Sequence, residues 1–264
     1  MITIVLVVVL YPLYQTLILS LLPMEDIETY INQVENRGLR FIPSYFWPQS
    51  ISFGQYSLTM NDTFLRAYAV AIAYVMLITG LHFPIAFVLG FVFAKVNFPG
   101  RDVLFFCFIA TMVLPFHVTL IPLHQLLHHL HLFDTPWAVI LPSAFSPLGV
   151  FLMRQFLSQI PNDVLEAASL DGAGLWHMTV FMLIPLVRNG LSVFFLLTIS
   201  LQWSSIEPVL AFIRNNEWQP ISLLLRQLMD EMPSQIFAPS VIYVIPMILL
   251  FTATSSGVDS EWKN

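Results

Sequence analysis

Charge is what this sequence has least of. Its 264 residues carry 10 basic and 16 acidic side chains, 10% in all, against about 25% in an ordinary soluble domain. That shortfall excludes a single soluble domain, which would need a larger dry core than a chain of this length encloses. A hydrophobic content of 57% and a mean hydropathy of +0.78 point instead to apolar surface solvated by lipid. Basic runs are absent and the net charge is -6, so nothing suggests nucleic acid as a partner. Cysteine is reduced to Cys107, in an apolar stretch; it forms no intrachain disulfide and is read as a packing residue. There is no G-x-x-x-x-G-K-S/T loop and no nucleophile–base–acid set, so the chain is expected to hydrolyse nothing alone and to hold no metal or cofactor of its own. The apolar run at the start lacks a basic flank and a small-x-small cleavage site, and reads as a retained signal anchor.

What is present is a set of six apolar stretches, at about 2–22, 67–93, 103–123, 137–153, 186–206 and 236–254. Lipid offers no partner to backbone N–H and C=O groups, so each is expected to be a helix. Barrel strands would alternate, and these stretches are apolar all round. The expected fold is an all-α membrane protein of about six transmembrane helices, one transmembrane domain over 1–264 with its core at about 61–254. Pro84, Pro115, Pro122, Pro142, Pro147 and Pro246 fall in or beside these stretches, where neighbouring helices can satisfy the carbonyls they free. The segments 23–61 and 207–235 are polar. The first carries the aromatic-proline run Pro43-Ser44-Tyr45-Phe46-Trp47-Pro48, a composition suited to the headgroup level. Short connections favour an orientation with Lys95, Arg101, Arg154 and Arg188 on the cytoplasmic side, since 125–136 on the other side has neither Lys nor Arg.

One long connection, 154–185, between the fourth and fifth stretches, is different in kind. Pro161 followed by Asn162 and Asp163 starts a helix, with Asn or Asp available as a cap. The stretch from Val164 to Leu170 continues it, small at Ala167 and Ala168, and Gly172 ends it. A second amphipathic piece through Trp176, Phe181 and Leu183 leads to Ile184-Pro185. The expected shape is a compact helix-turn-helix with an exposed polar edge, able to act as a knob for another protein's groove.

Glu166, Ala167, Ala168, Gly172 and Pro185 match, at the correct spacing, the E-A-A, three residues, G, nine residues, I-x-L-P signature of bacterial ABC-importer permeases; Met182 and Ile184 replace the Ile and Leu. Asp171 and Ala173 complete the carbohydrate-type version. Phe151-Leu152 with Arg154-Gln155-Phe156, Ile160-Pro161, Phe98-Pro99-Gly100-Arg101, Leu114-Pro115, Ile121-Pro122 and Asp134-Thr135-Pro136 also look like that subfamily. The chain therefore resembles the permease subunit of a binding-protein-dependent ABC importer of the maltose type, over roughly 61–203. The resemblance implies that the E-A-A segment is a coupling helix docking on an ATP-binding subunit, with Glu166 in a polar contact and Gly172 at the turn. It also implies a second homologous permease, two ATP-binding subunits that hold the ATP and Mg, an extracytoplasmic solute-binding protein and a place in the bacterial inner membrane. The expected solute is a sugar or oligosaccharide, with glycerol-3-phosphate or a related phosphodiester as the alternative. The chain departs from the pattern in lacking a basic leader, in Trp203-Ser204 with Pro208-Val209 spaced one residue short, and in its tail 252–264, where Gly257-Val258-Asp259-Ser260-Glu261 is similar to glycerol-phosphate permeases.

Histidines give weaker signals. His124 and His128 stand at i, i+4, near His129 and His131, a spacing that could share a metal or simply furnish an interfacial loop. His82 lies mid-span, either as a functional polar group or as a neutral packing residue. An ion-coupled secondary transporter would want paired carboxylates inside the spans or an inverted repeat, and the sequence shows neither.

Overall fold

A computed structural model of the chain describes residues 2–37, 45–48 and 50–259. Pro43 and Ser44 of the aromatic-proline run, Arg40, and the tail from Ser260 onward lie outside the described residues. Among those described there is no strand. The helices are α1 (Ile2–Ser20), α2 (Met24–Arg37), α3 (Gly54–Thr59), α4 (Asp62–Lys95), α5 (Arg101–Ala110), α6 (Phe116–His129), α7 (Trp137–Ser143), α8 (Pro147–Ser158), α9 (Asn162–Leu170), α10 (Leu175–Met178), α11 (Ile184–Leu186), α12 (Arg188–Trp203), α13 (Glu207–Phe212), α14 (Ile221–Glu231) and α15 (Phe237–Asp259). Two compact units result: 1–71 with 219–249, and 72–218 with 250–264.

Among the described residues, three helical segments are long and apolar enough to cross a membrane: Asp62–Lys95, Trp137–Ser158 and Phe237–Thr254. Two bent pairs bring the number to five, Arg101–Val113 with Phe116–His129 at 100° and Leu175–Leu186 with Arg188–Trp203 at 81°. The remaining expected stretch forms α1, whose apolar run Val5–Ser20 is shorter. Every residue from Val5 to Tyr14 is exposed, an apolar surface that calls for lipid or protein around it.

In the first unit, Leu19, Leu22 and Ile27 form a small buried cluster where α1 meets α2. The Gln55 amide donates to the carbonyls of Leu19 and Leu22 at 2.8 and 2.9 Å, so α3 satisfies one carbonyl in the last turn of α1 and one just past its end. Asn61 Oδ1 accepts the Phe64 N–H at 2.9 Å, capping the start of α4.

In the second unit, α8 packs against α12 and α5. Its core is rich in aromatic side chains, with Phe87, Phe93, Phe105, Met153, Leu157 and Phe194 all buried. Glycine sets how close the backbones come. A Cβ placed on Gly149 of α8 would lie 2.1 Å from His82 Nε2 of α4, and one on Gly90 of α4 would lie 2.5 Å from Met153 Cβ of α8. At Gly90 the two backbones approach directly, and at Gly149 the backbone of α8 meets the His82 ring of α4. His82 is 2% exposed and its ring centroid lies 5.1 Å from that of Phe194. It is therefore enclosed in the α4–α8–α12 packing.

Candidate functional site: the exposed helix 162–170 and its supports

The helix α9 is short, and its sequence divides it cleanly. Val164, Leu165 and Ala168 are half-buried, and the first two pack on the core of the second unit. Glu166, Ala167, Ser169 and Leu170 are exposed on the opposite face. That division is the 3.6-residue periodicity of an amphipathic helix, with one irregularity: Leu170 is 88% exposed although apolar.

Its ends are defined differently from one another. At the start Pro161 occupies the N-cap with extended ψ of 143°, and no side chain caps the first turn. The expected capping role of Asn162 or Asp163 is therefore corrected. Asn162 Oδ1 instead accepts a hydrogen bond from Lys95 Nζ at 3.1 Å, and the same ammonium donates to the Ile160 carbonyl. At the far end Gly172 adopts a left-handed φ of 80°. Its N–H donates to Ser169 O at 3.1 Å, and the Ala173 N–H donates to Ala168 O at 3.0 Å. This paired arrangement satisfies the last carbonyls of the helix and needs a left-handed residue at its corner, which glycine supplies without steric penalty. Asp171 is the preceding exposed residue, and Ala173 is half-buried.

Beyond the turn, α10 passes into a π-helical turn, Thr179–Leu183, before α11 and Pro185. Pro185 is exposed, and stands away from the Glu166–Ala168 triplet in the sequence as the end of the return path. Leu175 and Trp176 are 66% and 79% exposed. A concavity of about 630 Å³ opens between the end of α9 and the π turn, lined by Ala168, Gly172, His177, Met178 and Phe181 among others. The structure thus brings Glu166, Ala167, Ala168, Asp171, Gly172 and Ala173 together on one projecting element. Sequence reading did not single out Leu170 and Leu175 as exposed apolar groups, nor Lys95 as a partner of this helix. The signal for Leu170 was available, because a helical wheel from Val164 places it among the polar positions.

Beneath this helix lies a cationic junction. Arg154 Nε donates to Phe93 O and its Nη2 to Asp102 Oδ1, both at 3.3 Å, while its guanidinium sits 3.8 Å from the centre of the Phe105 ring. Arg101 reaches the same carboxylate at 3.3 Å and Asn97 Oδ1 at 3.0 Å. Lys95 and the Phe93 carbonyl belong to the last turn of α4, where the helix dipole favours positive charge.

At the α6–α7 turn, His124 and His128 are spent on ring packing. Their centroids lie 4.6 Å apart, and His128 stacks on Phe133 at 4.3 Å. No group of three metal-ligating side chains occurs among the described residues. Asp134, at a positive φ of 60°, accepts the backbone N–H groups of Arg214 at 2.7 Å and Asn215 at 2.9 Å. Those two N–H groups, the Asn215 one foremost, and then the Arg214 charge hold its carboxyl below the usual carboxylate range.

Residues 86–259 match the family described as binding-protein-dependent transport system inner membrane component. The arabinooligosaccharides transport system permease protein AraQ of Halalkalibacterium halodurans is 28% identical over 165 residues, 61% of this chain and 59% of that one. The match thus spans less than two thirds of that relative. AraQ of Bacillus subtilis is 25% identical over 209 residues, covering 77% and 74%. The sn-glycerol-3-phosphate permease UgpE of Yersinia enterocolitica is 25% identical over 206 residues, covering 74% and 68%. In fold, the chain is similar to a chain of a bacterial ABC transporter involved in alginate import, with a TM-score of 0.81 at 21% identity over 97% of this chain and 92% of that one. A second structure, of an alginate ABC transporter in complex with an alginate pentasaccharide-bound periplasmic protein, gives 0.60 at 14% identity, covering 77% and 81%. By this match over 86–259, and in keeping with its apolar spans, the chain belongs to the inner membrane components of binding-protein-dependent transport systems.

Proposed function

We propose that this chain is the permease subunit of an ATP-driven importer for a sugar or oligosaccharide, and that α9 is the helix through which ATP-binding subunits act on it. The observation that carries the reading is the surface of α9. An acidic side chain, Glu166, stands beside Ala167 on an exposed face, with the apolar Leu170 and Trp176 nearby. A small-residue surface admits close approach of another backbone, and exposed apolar side chains beside a charge are the composition of a docking patch. The buried face of the same helix rests on the core, so displacement of the patch is passed inward.

In this reading the ATP and magnesium sit on the partner subunits, where hydrolysis takes place, and this chain contributes only the pathway and the contact. Nucleotide-driven closure of the two ATP-binding subunits would draw together α9 and its counterpart on a second, homologous permease. An extracytoplasmic solute-binding protein would deliver the solute. The AraQ relatives support a saccharide, and the alginate transporter of similar fold, with its periplasmic protein, supports delivery of that kind. The UgpE relative favours glycerol-3-phosphate as the second solute reading.

The test is co-purification with the cognate ATP-binding subunits, followed by uptake in vesicles of labelled arabinotriose and of labelled sn-glycerol-3-phosphate. Glu166→Ala should weaken the subunit association by about 2 kcal/mol or more, roughly thirtyfold, if the carboxylate meets a buried cation. Full association and uptake after Glu166→Ala combined with Gly172→Pro would overturn the docking assignment. Uptake of only one labelled solute decides the solute class.

A further inference from the structure

The support beneath α9 has a mechanical asymmetry. The end of α9 runs through Gly172 and Gly174, and a Cβ on either would meet no heavy atom within 4 Å, so this side is open. The start is held twice. Through Ile160-Pro161 it continues covalently from α8, and through Lys95 it is bound to α4 at the Ile160 carbonyl and at Asn162 Oδ1. Proline at 161 leaves the chain extended there, so the Ile160 carbonyl lies outside the turns of α8 and α9 and is free to face the ammonium. The helices α4 and α8 are themselves joined by the Gly149–His82 and Gly90–Met153 approaches and by Arg154 reaching back to Phe93 O.

Resting on the coupling role proposed above, we propose that Lys95 is a positioning residue that locks the start of α9 onto α4, so that a force applied to α9 moves α4 and α8 as one body. Without the lock, the start of α9 would be held only by the Ile160-Pro161 link and by the half-buried Val164 and Leu165 on the core, and could shift on them. Movement of the docking patch would then be absorbed at that link. Two features make lysine suitable: its reach from the last turn of α4, and its capacity to donate to two oxygens at once. Arginine, with more donors and similar reach, should serve as well. A methionine of similar length cannot.

The experiment uses the chain assembled with its cognate ATP-binding subunits in lipid nanodiscs, in a Cys107→Ser background. Spin labels go on Val88→Cys of α4 and Asp163→Cys of α9, both exposed positions outside the Glu166–Ala173 patch. The distance between them is read by pulsed electron spin resonance before and after adding ATP and magnesium. With Lys95 intact, one narrow distance population is expected in both states. Lys95→Met should broaden it, with a second population on nucleotide addition displaced by about one helical turn, ~5 Å. Lys95→Arg should restore the narrow population, a rescue that a change in general stability would not give. A narrow population in Lys95→Met, or failure of Lys95→Arg to restore it, overturns the proposal. If Lys95→Met does not accumulate in the membrane, Asn162→Ala removes one acceptor and keeps the cation; a partial broadening supports the lock, and none overturns it. Failure of the unsubstituted chain to bind any ATP-binding subunit sinks the importer reading and the lock with it. Normal binding with unchanged distances in Lys95→Met sinks the lock alone.

Discussion

Replacing Gly149 by alanine tests the close approach of the α8 backbone to the His82 ring of α4. The new methyl would lie 2.1 Å from His82 Nε2, 2.5 Å from His82 Cε1 and 2.9 Å from Phe194 Cε2. Normal contact needs more than an ångström beyond the first of these. The imidazole cannot swing away, because His82 is 2% exposed and Phe194 is fully buried beside it. The helices must therefore separate, and overpacking of this kind costs about 1–3 kcal/mol. Alanine returns up to about 1 kcal/mol through its better helix propensity. The net loss should be ~1–2 kcal/mol, which in a chain of this size lowers Tm by roughly 2–8 °C. Thermal unfolding of the detergent-purified chain, followed by intrinsic fluorescence, reads this directly. Gly80→Ala is the control: no heavy atom lies within 4 Å of its Cβ, so only the propensity gain remains and Tm should hold or rise. His82→Ala combined with Gly149→Ala should recover much of the loss, a coupling that independent sites would not show. A Tm for Gly149→Ala at or above that of the unsubstituted chain, or strict additivity in the pair, would refute the close approach.

Gly172→Ala forces an L-residue to φ of 80° and should cost about 1 kcal/mol; the same unfolding assay measures it, and α9 should become more accessible to protease. Trp176→Ala and Leu170→Ser should leave Tm within about 1–2 °C, because surface changes cost little, yet weaken capture of the ATP-binding subunit in a pull-down. Asp134→Ala should lower Tm at neutral pH, since two backbone N–H groups lose their acceptor. Because the folded carboxyl is held below its unfolded value, its stabilisation is complete above about pH 4 and is lost as pH falls through the depressed folded value. The Tm gap between Asp134→Ala and the unsubstituted chain should therefore stay constant from pH 7 to about 4 and close below it.

Much of the site was legible because it rests on local rules. Pro161 and Gly172 bound α9 to within a residue, since one residue type fixes φ and the other supplies a left-handed corner. The family match over 86–259 agrees with the resemblance drawn from Glu166-Ala167-Ala168 and its flanking motifs. The prolines were harder to weigh. Pro84, Pro122 and Pro246 lie inside continuous helices, whereas Pro115 follows a break, with Leu114 extended at ψ of 121°. Composition alone does not separate these cases, because the outcome depends on what neighbouring elements offer the displaced carbonyls. The lock at Lys95 was invisible for a related reason. Its partners at 160 and 162 lie more than sixty residues away, and only tertiary packing brings them within reach. The π turn at Thr179–Leu183 likewise carries no residue signature that sets it apart from an ordinary helix.

The 100° break at Leu114–Pro115 restricts where this subunit can sit. Each arm is too short to traverse a bilayer alone: Arg101–Val113 and Phe116–His129 reach roughly 20 Å apiece at 1.5 Å per residue, against a hydrocarbon thickness of about 30 Å. A bared peptide corner at that depth is not tolerated against acyl chains. If the two arms together make one span, the elbow at Leu114 needs a wet cavity or a protein wall beside it, because acyl chains offer its peptide groups no partner.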